Sequence, residues 1–137
     1  MNVIIDTNVL VSGIFFKGTP FNLLVAWKKG KFKLIITHEI LDEYKRVIED
    51  LSKNFPNIQV AGIIEKIALN SVLTFSVNLP EPICTDPDDD KFFAAAIASK
   101  TKIIISGDKH LLSKSGHSGV KVLKPSEFYD TYISLNK

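Results

Sequence analysis

Cysteine is nearly absent. Cys84 is the single one in 137 residues, so no disulfide can form within the chain, and that usage fits a reducing compartment. With no histidine beside it in sequence, Cys84 reads as a small buried hydrophobe rather than a nucleophile. Arginine is as scarce: Arg46 is the only one, and lysine carries the net charge of +2. Lysine offers a point charge, whereas forked, base-specific contacts favour arginine. Any nucleic acid held here is therefore expected to be gripped by its backbone. No apolar run approaches the length of a bilayer span. Residues 1–6 reach Asp6 after only three successive apolar residues, too few for a signal-peptide core. The expectation is a cytoplasmic protein with no membrane partner.

What is present is ordinary for a folded domain. Apolar residues make up 45% of the chain and charged residues 23%, enough to build a core and too apolar for disorder. The length fits one domain over residues 1–137.

Periodicity predicts alternating strands and helices. Val3-Ile4-Ile5 and Ile103-Ile104-Ile105 are β-branched runs that read as buried strands. Residues 32–36, 72–77 and 120–123 complete the expected strands. Helices are predicted over residues 9–16, 21–29, 38–52 with Thr37 as N-cap, 57–69 with Asn57 as cap, and 92–99; Pro125 opens a last one. The alternation predicts an α/β fold with a parallel sheet covered on both faces.

Acids fall where such a sheet binds ligands, outside the carboxyl ends of its strands. Val3-Ile4-Ile5 delivers Asp6, and Ile103-Ile104-Ile105 delivers Asp108 three residues on. An acid that closes an apolar strand is costly unless water, a partner or a metal receives it. Singly, each reads equally well as a helix cap; two at one edge favour a site. On the helix over 38–52, Ile40, Leu41, Tyr44, Val47, Ile48 and Leu51 form one apolar arc. Glu43 falls about 40° outside it, while Glu39 and Asp42 fall roughly 80–100° outside. Glu43 is thus the acid able to reach along the core edge. In the run Asp86-Pro87-Asp88-Asp89-Asp90, capping is the better reading for any one acid taken alone, but four exceed what a cap requires. Asp90, which opens the buried helix, is expected to be held against the sheet edge.

Asp6, Glu43, Asp90 and Asp108 packed together would repel. A hard divalent cation resolves the repulsion, and oxygen-only donors point to Mg²⁺ or Mn²⁺ rather than Zn²⁺. His38, His110 and His117 form no zinc pattern; His110, two residues past Asp108, is kept as a minor supporting residue.

These stretches resemble the PIN domain family of metal-dependent nucleases, which includes toxin components of toxin–antitoxin pairs. The similarity lies in Asp6-Thr7-Asn8-Val9-Leu10-Val11-Ser12-Gly13, in Glu39-Ile40-Leu41-Asp42-Glu43-Tyr44, in the run from Asp86 through Asp90 to Ala96, and in Ser106-Gly107-Asp108-Lys109-His110-Leu111. Ser106 stands where threonine is more usual, and the hydroxyl is kept. The resemblance places metal-binding, catalytic acids at Asp6, Glu43, Asp90 and Asp108, with Thr7, Asn8 and Ser106 as residues that hold the carboxylates. It also implies strand order 3-2-1-4-5, a homodimer, an antitoxin partner for the toxin subgroup, and hydrolysis of RNA to a 5′ phosphate and a 3′ hydroxyl.

Lys28, Lys29, Lys31 and Lys33 are the densest basic stretch, an RNA-backbone contact on one reading and a solvated turn on the other. The apolar residues of 9–16 read as core or, less commonly, a dimer face. Two readings of the whole stay open: a metal-dependent endoribonuclease for single-stranded RNA, and a catalytically weak module of the same fold for binding or RNA processing. A receiver domain is disfavoured, because the first strand supplies only Asp6 and no acid ends the strand over 72–77. A phosphatase with an aspartyl nucleophile is disfavoured because Asn8 stands two residues after Asp6.

Overall fold

A computed structural model describes residues 1–134. Five parallel strands form one sheet in the order β3-β2-β1-β4-β5. They are β1 (Asn2–Ile5), β2 (Lys33–Ile36), β3 (Val72–Leu73), β4 (Ile103–Ile105) and β5 (Lys121–Leu123). The helices are α1 (Thr7–Phe15), α2 (Thr19–Lys28), α3 (His38–Ser52), α4 (Val60–Asn70), α5 (Asp90–Ser99), α6 (Lys109–Leu112) and α7 (Pro125–Phe128), which runs on into a wider π turn over Tyr129–Ile133. This is the α/β architecture and strand order expected.

The three central strands are apolar throughout their buried parts because helices cover both of their faces. Val3, Ile4, Leu34, Ile104 and Ile105 are wholly buried. α5 is a helix of small residues, Ala94, Ala95 and Ala96, all buried, so it can lie close against the sheet. α3 turns Ile40, Tyr44 and Ile48 inward and leaves Glu39 and Asp42 exposed. Thr37 caps it by accepting from the N–H of Ile40 at 3.2 Å. At Gly13 any Cβ would stand 2.7 Å from the carbonyl of Pro20, so only glycine lets α1 and α2 approach as they do.

Two boundaries differ most from expectation. The third strand stops at Leu73, because β2 ends at Ile36 and its last carbonyl is taken by the N–H of Thr74 at 2.8 Å. Beyond that point the chain has no ladder to join. The fourth helix begins at Val60 rather than after Asn57, because residues 55–58 close a turn of their own, with Ile58 N–H donating to Phe55 at 3.0 Å. Among the described residues no single helix is long and apolar enough to cross a membrane.

Candidate active site

β1 is the central strand, so its end places Asp6 at the middle of the carboxyl edge. The backbone of Asp6 starts α1: its carbonyl accepts from Val9 and Leu10, each at 3.1 Å. Its N–H donates to the carbonyl of Ile105 at 2.9 Å, tying it to β4. The side chain makes no cap bond. The carboxylate, only 6% exposed, is thereby left facing the edge.

Ser106 joins the two strand-end acids. Its hydroxyl donates to Asp6 Oδ2 at 2.7 Å and accepts from the N–H of Asp108 at 3.0 Å. Asp108 in turn caps α6, its Oδ1 accepting from the His110 N–H at 2.7 Å. Burial raises the pKa of Asp6 above the ordinary aspartate value; the Ser106 bond pulls it down, and the charges of Asp108 and Glu43 push it up again.

Glu43 reaches this group from α3. The hydroxyl of Thr7 donates to its Oε2. Lys91 stands 2.6 Å from its Oε1, and Arg46 lies 3.7 Å from the same oxygen. Burial works against a charged Lys91, but its bonds to Glu43 and Asp88 more than offset that and raise its pKa. The wholly buried Tyr44 donates its hydroxyl to the carbonyl of Ile5, clamping the strand end one residue before Asp6.

The acidic run divides its work. Asp86 accepts from the N–H of Asp88 at 3.0 Å and starts the 3₁₀ turn over Pro87–Asp89. Asp88 pairs with Lys91 at 3.0 Å. Asp90 receives the Cys84 N–H at 2.7 Å and the Ile83 N–H at 3.3 Å. Its carboxylate thus anchors the incoming loop. Asp89 lies next to Asp90 in the run. It is half-buried, and its pKa is raised to about 6 by burial first, then by the charges of Asp108 and Asp6.

Other expected residues separate similarly. Thr7 and Ser106 hold carboxylates, whereas Asn8 is exposed and makes no side-chain bond to any of these acids. The rings of His38, His110 and His117 are outside the group, on exposed residues. Cys84 is buried, and burial first, then the Asp90 bond, pushes its thiol up to about 12, which suits no nucleophile. The lysine stretch lies at the opposite edge of the sheet, where β2 begins. Lys28 and Lys33 line one cleft there, and Lys29 and Lys31 line another beside Tyr129.

Lys91, which holds Glu43, and Tyr44, which holds the strand end before Asp6, are the positions that sequence patterns passed over. For Lys91 the one local cue was its place three residues after Asp88; nothing in the sequence signalled Glu43, 48 residues away.

The acids here offer only oxygen donors, and Asp6 and Asp89 are held above the usual aspartate value by burial first and then by the charge of neighbouring acids. That excess of negative charge fits a hard divalent cation. Among the described residues, however, no three acid, histidine or cysteine side chains are gathered closely enough to ligate one ion.

Comparison with known proteins agrees with the fold. The family model described as PIN domain matches residues 2–110. An uncharacterized protein of Methanocaldococcus jannaschii, MJ1680, is 31% identical over 144 residues, covering 96% of this chain and 92% of that protein. PIN domains are generally metal-dependent nucleases, and the parallel sheet, its strand order and the acids at its carboxyl edge accord with that architecture: the chain belongs to the PIN domain family.

Proposed function

We propose that this chain is a metal-dependent endoribonuclease that hydrolyses phosphodiester bonds in single-stranded RNA. The observation that carries the reading is the buried Asp6 carboxylate, held by Ser106 at 2.7 Å and coupled by charge to Asp108, Glu43 and Asp89. Asp6 and Asp108, with Asp90 and its neighbour Asp89 from the acidic run, are the residues that would hold Mg²⁺ or Mn²⁺, with Glu43 beside them. When bound, such a cation lowers the pKa of a water and neutralises charge on the scissile phosphate.

The chain's own residues supply position. Ser106 orients Asp6 and fixes the backbone at Asp108. Thr7 and Lys91 each hold one oxygen of Glu43. Tyr44 immobilises the carbonyl just before Asp6. A cleft of about 460 Å³ opens beside Glu43, with Glu39, Asp42, Arg46, Asp88 and Lys91 also lining it. In the hydrolysis, water oxygen bonds to phosphorus, the bond to the 3′ oxygen breaks, and that oxygen takes a proton. No side-chain nucleophile takes part.

Purified protein incubated with mixed RNAs in Mg²⁺, in Mn²⁺ and in EDTA, beside Asp6→Asn, tests this. Cleavage that needs the cation and is lost in Asp6→Asn is expected; cleavage that survives either change sinks the reading. The resemblance of the motifs supports a further step, a cytoplasmic homodimeric toxin neutralised by an antitoxin protein. Growth arrest on expression, relieved by a neighbouring gene product, is its measurement.

One observation favours a second reading, a binding or RNA-processing module with weak catalysis. Lys91 already neutralises Glu43, so one acid of the expected set has its counter-charge within the chain. Tight RNA binding without cleavage in either cation would select that reading.

A further inference from the structure

Charge is sorted along the strand direction. The carboxyl edge of the sheet holds Asp6 and Asp108, with Glu43 reaching them through Thr7; the opposite edge holds lysine. Lys33 opens β2 and stands across from Asn2 in the parallel register. Lys121 opens β5 across from Ile103, and its N–H donates at 2.8 Å to the carbonyl of Lys102, the residue before β4. Lys33, Lys102 and Lys121 are exposed. Among the described residues none of the three has an ion-pair partner. From β2 to β5 the row crosses three strand spacings, roughly 14 Å.

At its β2 end the row meets a cleft of about 490 Å³ between the end of α2, the start of β2 and α4. Trp27 and Phe32 form its aromatic wall, and Lys28, Lys33 and Lys66 its rim. No carboxylate lines it. Lysines without counter-ions beside an aromatic ring have the composition of a single-strand nucleic-acid surface: ammonium groups take phosphates, and the ring takes a base. An acidic polypeptide would use the lysines and leave the ring idle, so Trp27 favours the nucleic acid.

We propose that this edge binds single-stranded RNA, with phosphates on Lys28, Lys33, Lys66, Lys102 and Lys121 and a base against Trp27. It lies one four-residue strand from Asp6, about 13 Å. It is a separate holding site that touches no reacting phosphate and needs no metal. The choice of RNA as ligand rests on the nuclease reading above; the site itself does not depend on cleavage.

Trp27 is the only tryptophan in the chain, so its emission reports on the cleft. A short, dye-labelled single-stranded RNA titrated in EDTA is expected to bind, to quench Trp27, and to show a salt dependence of log K with a slope of about −3.5, about 0.7 for each lysine. The triple variant Lys33→Ser, Lys102→Ser, Lys121→Ser changes only exposed side chains. It is expected to lose ~10-fold in affinity at low salt and about 2 from the slope. Asp6→Asn is expected to bind in EDTA as the parent does. Poly-glutamate is expected to compete weakly and to leave Trp27 emission unchanged. Absent binding in EDTA, an unchanged triple variant, an unquenched Trp27, or equal quenching by poly-glutamate overturns the proposal. Loss of cleavage with this binding intact counts against the nuclease reading alone.

Discussion

Ser106 reaches across 100 positions of sequence to donate its hydroxyl to Asp6 at 2.7 Å, while accepting from the N–H of Asp108. One small side chain thus sets the spacing of the two strand-end acids. It also lowers the pKa of Asp6 against the larger effect of burial.

Ser106→Ala removes that donor and leaves Asp6 oxygen buried without it. Stability is expected to fall by about 1–3 kcal/mol, and Mn²⁺ affinity roughly 10–100-fold. Ser106→Thr, which keeps the hydroxyl, should restore most of both. Calorimetric titration with Mn²⁺ and a thermal melt on the same three proteins would measure it. Equal affinities would show that Ser106 is only filling space.

Asp89 and Asp90 are neighbours with opposite expected phenotypes. Asp90→Ala leaves the Ile83 and Cys84 N–H groups unpaired, a cost of about 1–3 kcal/mol. Asp89→Ala relieves repulsion with Asp6 and Asp108 and should leave the melt unchanged or higher while removing cleavage. Denaturant curves together with cleavage rates separate the two. The reverse pattern would overturn this division.

The pKa of Asp89, about 6 in the folded chain, lies above the roughly 3.9 of an unfolded aspartate. Between those values the native state holds the proton more tightly, so its contribution to stability is full below about 4 and is lost as pH rises through about 6. Asp6 acts in the same direction. Metal-free Asp89→Asn should therefore match the parent near pH 4 and melt higher than it at pH 8. Saturating Mg²⁺ should narrow that gap by stabilising the parent. Melts at several pH values, with and without cation, check the sign.

Lys91 and Glu43 are both largely shielded from water, with side chains 14% and 12% exposed. Lys91→Met strands the Glu43 charge and is expected to cost about 1–3 kcal/mol. Glu43→Gln in the same chain should recover a large part of that loss. A double-mutant cycle by urea unfolding gives the coupling, and a coupling near zero would mean that solvent already screens the pair.

Much of this site could be read without coordinates. Asp6 and Asp108 follow the two most apolar runs, and a parallel sheet gathers such strand ends at one edge. Glu43 lies at the boundary of a helical arc whose inner members Ile40, Tyr44 and Ile48 are buried. The order of Asp86, Asp88, Asp89 and Asp90 around the turn was not legible. Successive residues of that 3₁₀ turn point about 120° apart, so the entry angle of the turn, not its composition, sets where each acid points.

The amino-acid sequence by itself determined the strand and helix alternation, the parallel sheet and the acids at its carboxyl edge. Those follow from local period and from the cost of burying charge beside an apolar strand. What only the closed fold fixes is that Asp90 takes the N–H groups of Ile83 and Cys84, that Lys91 neutralises Glu43, and that Lys33, Lys102 and Lys121 line the far edge. Each of these joins residues that no local pattern links. The packing angle of one element on another sets them, through contacts that form only once the core has closed.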